Sequence, residues 1–102
     1  MTKQEIMVNY QNALSRADEI DETADRLRRI RTDRITAAEN NMQATWTGDN
    51  ADRCTRKIRI FREELESREK SIRKLANALR KMARTFYMAE IAALKIAEAR
   101  KY

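Results

Sequence analysis

Apolar residues recur along the first half of the chain at alternating spacings of three and four residues. This is the period of an amphipathic helix. The positions are Ile6, Tyr10, Ala13, Ala17, Ile20, Ala24 and Leu27, followed less regularly by Ile30, Ile35, Ala38 and Met42. The pattern predicts a helix over about residues 3–43. Thr2 and Glu5 have the spacing of a capping box, so we expect the helix to begin beside them.

The second half carries a stricter repeat, which predicts a helix over about residues 50–100. Fourteen consecutive a and d positions of a heptad hold apolar residues, except at Arg68. This a/d series is Ala51, Cys54, Ile58, Phe61, Leu65, Arg68, Ile72, Leu75, Leu79, Met82, Phe86, Ala89, Ala93 and Ile96. Such a repeat is typical of a coiled-coil-like seam. Asp49 is the expected N-cap residue, because Asp52 follows three residues later.

The segment between the two helices, residues 44–49, contains the only glycine and the only tryptophan of the chain. A positive φ angle at Gly48 would let the chain reverse there. We therefore predict an all-α fold, in which residues 1–102 form one antiparallel two-helix hairpin. One hairpin has a small core, so we expect it to dimerise into a four-helix bundle.

Composition argues against an enzyme. The 102 residues include one glycine, no proline and no histidine, which disfavours sheet-rich and loop-rich folds. Without histidine, the commonest acid–base catalysis and zinc sites are excluded. Cys54 is the only cysteine, so no internal disulfide can form, and its a/d position favours a small buried side chain. We predict no cofactor, no metal and no small-molecule substrate.

The net charge of +6 is concentrated in the second half of the chain. If the turn centres near residue 47.5, acidic residues within 18–25 face basic ones within 70–77, and arginines within 26–34 face acids within 61–69. This alternation supports the hairpin. Arg80, Lys81 and Arg84 are then expected to face residues 11–15, which include no acid. These cations are either solvated or available to dock an acidic partner. We do not expect nucleic acid to bind, because no aromatic residues are interleaved with them.

The hairpin, the Trp46-Thr47-Gly48 turn and a motif forty residues later together resemble the WXG superfamily, the ESAT-like small proteins of type VII secretion. That family carries Tyr-x-x-x-Asp/Glu near the end of its second helix. Phe86 and Glu90 match this spacing, whereas Tyr87 lies one residue out of register. Phenylalanine at the aromatic position also resembles the small helical partners of LXG toxins.

The resemblance implies a type VII secretion substrate or an adaptor that presents an export signal. It would form a homodimer or a heterodimer with another helical secretion protein, for which an LXG toxin is one candidate, and would contact the secretion ATPase. It would be cytoplasmic before export and then secreted or on the cell surface, meeting membranes only through the apparatus. No cleavable signal peptide or transmembrane run is visible in the sequence. The alternative is a basic coiled coil for scaffolding or nucleic-acid binding, without an export role.

Two surfaces could carry the export role. Phe86 and Glu90 open an apolar run, and we expect its Leu94 and Ile96 to extend past the first helix as a partner-binding end. Trp46 and Gly48 would form the second surface, which could meet the Phe86 motif of a partner chain in an antiparallel dimer. The simpler interpretations are that Phe86 packs in the core and that Trp46 closes the end of the hairpin.

Overall fold

The computed structural model describes residues 1–100, and two long helical stretches account for nearly all of them. The first stretch comprises helix α1 (Lys3–Arg29), a π-helical segment (Ile30–Ile35) and helix α2 (Thr36–Thr45). The second stretch is helix α3 (Asp49–Ala99). No strand occurs within residues 1–100. The predicted all-α helical hairpin is thus confirmed.

Local side-chain chemistry explains where the first helix begins and where the chain turns. The Thr2 hydroxyl accepts a hydrogen bond from the Glu5 backbone N–H at 3.2 Å, as expected of a cap. Trp46 ends α2 in an extended conformation, and Gly48 follows with φ at 103°. The Gly48 carbonyl accepts the Asp52 N–H at 3.0 Å. The N-cap of α3 is therefore Gly48, and the predicted N-cap at Asp49 is wrong by one residue.

Contacts divide the hairpin into two units, each built from antiparallel helical segments. The terminal unit comprises Met1–Asp21 and the chain from Lys74 onward. Its buried apolar residues are Ile6, Ala17 and Ala76. The rings of Tyr10 and Tyr87 stack with centroids 4.7 Å apart. Two of these three buried residues are alanines, so little large apolar surface is buried here.

The turn unit comprises Glu22–Arg73 and contains buried charges beside its apolar core of Ala24, Ala51 and Leu65. Arg31 Nε donates to Glu69 at 2.7 Å, and Arg62 donates to Glu39 at the same distance. Both carboxylates are almost fully buried. Because a buried carboxylate is costly without its partner, these pairs fix which turns of the helices face each other.

The π-helical segment explains why the apolar stripe of the first helix becomes irregular after Leu27. Inward-facing residues are seven apart from Ala17 through Ala24 to Arg31, but the next buried residue, Glu39, comes eight after Arg31. A π turn accommodates one additional residue without rotating the rest of the helix. Ile30 is exposed, although its position in the stripe predicted an inward side chain, because the inward position of that turn belongs to Arg31.

The predicted seam of α3 is only half correct. The a positions Ala51, Leu65 and Ile72 are buried or half-buried, as expected. The d positions Leu75 and Met82 are exposed, and the inward side is completed instead by residues one place further along. Those residues are Arg62, Glu69, Ala76 and Ala83. Small or paired polar side chains at these places allow the first helix to pack there, which leaves the d positions on a second face of α3.

Candidate partner-binding surface

Phe86 and Glu90 line one groove in the terminal unit. The groove also contains Ile6 and Tyr10 from α1 and Tyr87 from α3. Tyr87 faces the first helix and stacks on Tyr10, whereas Phe86 is 61% exposed. The interpretation of Phe86 as a core residue is therefore wrong for this chain by itself. Glu90 is half-buried at the edge of the same groove.

A second groove, formed by Leu94 and Ala97 of α3 with Met1 and Ile6, corrects the expected overhang. Leu94 is half-buried there, so it does not extend past the first helix. Ile96 is exposed, as a partner-binding residue must be. The difference arises because the observed pairing of the helices is displaced from the predicted one by about one turn.

That displacement also changes the role of Arg80. Its guanidinium bonds Asp18 at 2.8 Å and Asp21 at 2.6 Å. Because the guanidinium donates hydrogen bonds to the carboxylate of Asp18 and then to that of Asp21, the pKa of Arg80 is raised above its usual value. The prediction that Arg80 faces no acid is wrong. Lys81 and Arg84 are exposed and form no ion pair with any residue of the described 1–100 range.

The turn places Trp46 and Gly48 in a cleft of the turn unit, lined also by Ala51, Arg56 and Arg59. Trp46 is 49% exposed, so half of its indole remains accessible beside the arginines. The Trp46 side chain is therefore only partly buried and does not fully close the end of the hairpin. Within one chain, Trp46 belongs to the turn unit and Phe86 to the terminal unit.

The sequence placed Phe86 and Ile96 on a partner-binding surface, but it did not show that both belong to an exposed apolar row along the distal half of α3. We call it the α3 stripe; it consists of Leu75, Met82, Phe86, Ala89, Ala93 and Ile96. Its four large side chains are each more than half exposed. The a/d series contained the signal, because all six stripe residues belong to it, but the whole series was assigned to the seam with the first helix. The helix instead divides these positions between its own hairpin and solvent.

Comparison with known proteins places most of the hairpin in one family. The model of WXG100, described as proteins of 100 residues with WXG, matches residues 5–91. The matched range contains Trp46, Gly48, Phe86 and Glu90. Neither a curated protein nor a solved structure gives a significant match. Of the helices formed by residues 1–100, none is both long and apolar enough to cross a membrane.

Proposed function

Because the chain belongs to the WXG100 family, whose members are small proteins associated with type VII secretion, we propose that it presents an export signal built on Phe86 and Glu90. It acts as a substrate or as an adaptor that pairs with another helical protein. That partner is a like chain or the helical N-terminal domain of an LXG-type toxin. The secretion ATPase reads the signal, and the chain leaves the cytoplasm through the type VII apparatus.

The exposure of Phe86 is the observation that carries this proposal. The neighbouring aromatic, Tyr87, stacks on Tyr10 and stabilises the hairpin. Phe86 has no such contact and remains 61% exposed. Leaving a large apolar ring in water is unfavourable and does nothing to stabilise the hairpin, which points to a role in binding. Glu90 follows one turn later on the same groove, so an aromatic ring and a carboxylate are accessible together.

The two aromatic positions therefore have separate roles. Phe86 is the aromatic residue that a receptor would contact together with Glu90, because Tyr87 is turned toward α1. Phenylalanine lacks the hydroxyl of tyrosine, so recognition depends on ring burial and on the charge of Glu90. Ile96 extends the same exposed surface toward the end of α3.

Glu90→Ala tests the proposal. We expect export of the chain, or of its partner, to fall to background, because the variant loses the carboxylate of the signal. Because Glu90 is half-buried but forms no ion pair within residues 1–100, the free energy of unfolding should fall by no more than about 1 kcal/mol. Export is measured by immunoblotting culture supernatants, and stability by thermal denaturation of the purified variant.

Glu98→Ala is the matched control, since it removes an exposed acid from the same helix two turns later. Export of the control should be unchanged. If Glu90→Ala protein is folded, accumulates in the cell and is exported at the normal level, the motif is not the signal. Phe86→Ala should abolish export as well, and its exposed ring makes a large loss of stability unexpected.

A further inference from the structure

The groove that contains Phe86 and Glu90 combines three aromatic rings with one carboxylate. Phe86, Tyr87 and Tyr10 supply the rings, and Glu90 supplies the carboxylate. The volume of the groove is about 230 Å³. Sites for drug-sized molecules occupy roughly 300–1,000 Å³, so this groove has room for a single side chain and not for a helix.

Glu90 has no cation beside it within the part of the chain that the structure describes. It is half-buried and forms no ion pair within residues 1–100. A partner on the same helix would lie three or four places away. Those places hold Phe86, Tyr87, Ala93 and Leu94. Of the described residues that line the groove, none is a lysine or an arginine, so the carboxylate is neutralised by neither helix.

A protein that covers the groove removes water from this carboxylate. Glu90 also lines the neighbouring groove with Met1 and Leu94, so apolar surface lies on both sides of it. Burying a carboxylate without an opposite charge is strongly unfavourable. An apolar group would leave Glu90 unpaired, and an acidic group would be repelled. The group that covers Glu90 therefore has to be a cation.

The aromatic rings favour a guanidinium over an ammonium group. Cations are attracted to aromatic faces, and Phe86 is exposed enough for one to reach its ring. A guanidinium is planar, so it can stack on a ring while two of its N–H groups donate to one carboxylate. Asn9 adds an acceptor to the groove, because its Nδ2 donates to Met1 Sδ at 3.4 Å and its amide oxygen remains available.

We propose that this groove binds an arginine side chain of the protein that recognises the export signal. This inference rests on the proposed function, since it names the chemical group that contacts Glu90. The guanidinium pairs with the Glu90 carboxylate and lies against the ring of Phe86. Tyr10 and Tyr87 complete the aromatic lining. The first helix is thereby part of the signal, because Tyr10 and Asn9 belong to α1.

Two small probes that differ in charge test the proposal with the full chain. N-acetyl-arginine methylamide carries the guanidinium, and N-acetyl-citrulline methylamide replaces it with a neutral urea of nearly the same shape. Each probe is titrated at constant ionic strength while the aromatic ring protons are followed by nuclear magnetic resonance. The rings of Tyr10, Phe86 and Tyr87 should report at least about tenfold tighter binding of the arginine probe. Equal binding, or no shift at these rings, would overturn the proposal.

A third probe, N-acetyl-lysine methylamide, separates a guanidinium from any other cation. It should bind at least about threefold more weakly than the arginine probe, because an ammonium group neither stacks nor forms two parallel hydrogen bonds to a carboxylate. If the lysine probe binds as tightly as the arginine probe, the assignment of arginine is wrong. The ring of Trp46 is an internal control, since two arginines already line its cleft. A Trp46 shift equal to that of the groove would show unspecific association and contradict the proposal.

Variants locate the binding at Glu90 and Phe86. Glu90→Gln keeps the size of the side chain and should remove the preference for arginine over citrulline. Glu98→Gln, at an exposed acid two turns later on α3, removes the same charge and should keep that preference. Phe86→Leu keeps an apolar side chain without a ring and should weaken the arginine probe at least about threefold. A preference that survives Glu90→Gln, or that is lost equally in Glu98→Gln, would refute the site.

The source of the arginine and the export role are tested separately. A dimer of the chain alone at micromolar concentration that Glu90→Gln dissociates would show that a second copy supplies the cation, which overturns the proposal. If the probes fail but Glu90→Ala still blocks export, the signal stands and the arginine site is wrong. Selective binding of the arginine probe with normal export of Glu90→Ala would instead contradict the proposed function.

Discussion

At the scale of single residues, Gly48 is the position at which the fold depends on one backbone angle. Its φ of 103° is a conformation that L side chains rarely adopt, although a Cβ there would meet no atom within 4 Å. Gly48→Ala should therefore destabilise the hairpin by about 1–3 kcal/mol through backbone strain alone. Thr47→Ala, at the adjacent exposed turn residue, is the control and should cost less than about 0.5 kcal/mol. Urea denaturation of both variants measures the difference, and equal midpoints would show that the turn tolerates alanine.

At the scale of helices, the π-helical segment allows a test by deletion. Deleting Thr32, an exposed residue within Ile30–Ile35, removes the additional residue and should leave a regular α-helix with both buried faces in phase. We expect the melting temperature to change by less than about 8 °C, corresponding to about 1 kcal/mol. Deleting Ser15, which is also exposed but lies within regular α1, should rotate Ile6 and Tyr10 away from α3 and cost more than about 2 kcal/mol. Circular dichroism melting curves of the two deletions decide this, and equal losses would contradict the role given to the π turn.

Helix α3 shows what periodicity can and cannot predict about the helices. The heptads of residues 51–96 were sufficient to predict α3 and its pairing with an earlier helix, because apolar spacing reflects the period of the backbone. They did not predict which of two adjacent faces the first helix covers. Ala76 and Glu69 are inward only because alanine permits close approach and Arg31 neutralises the carboxylate. These are properties of the pair of helices. The exposure of Phe86 and the pairing of Arg80 with Asp18 follow from how the two helices pack. The sequence therefore predicted which residues belong to the site, but not how they are arranged.

At the scale of the whole molecule, cross-helix ion pairs make stability dependent on pH. The Arg73 guanidinium, by its hydrogen bond, holds the pKa of Asp25 below its ordinary value of 3.8. Because the folded pKa is lowered, this stabilisation is present above the unfolded pKa and is lost as the pH falls through the folded one. The gap in melting temperature between the native chain and Asp25→Asn should accordingly be constant near neutral pH and close progressively below about pH 4. Glu64→Gln, at an exposed acid with no ion pair in the described part of the chain, should show a smaller gap at neutral pH. A gap for Asp25→Asn that persists undiminished in strong acid would contradict the assignment.

The distribution of aromatic residues gives the two units different optical reporters. Trp46 is the only indole in the chain and is half-exposed at the turn, so its emission reports the turn unit and is open to aqueous quenchers. The stacked rings of Tyr10 and Tyr87 belong to the terminal unit, so we expect near-ultraviolet dichroism in the tyrosine band to report that unit. Unfolding followed at both signals needs no introduced label. Coincident transitions would identify one cooperative folding unit, and separated ones would show that the two ends of the hairpin melt independently.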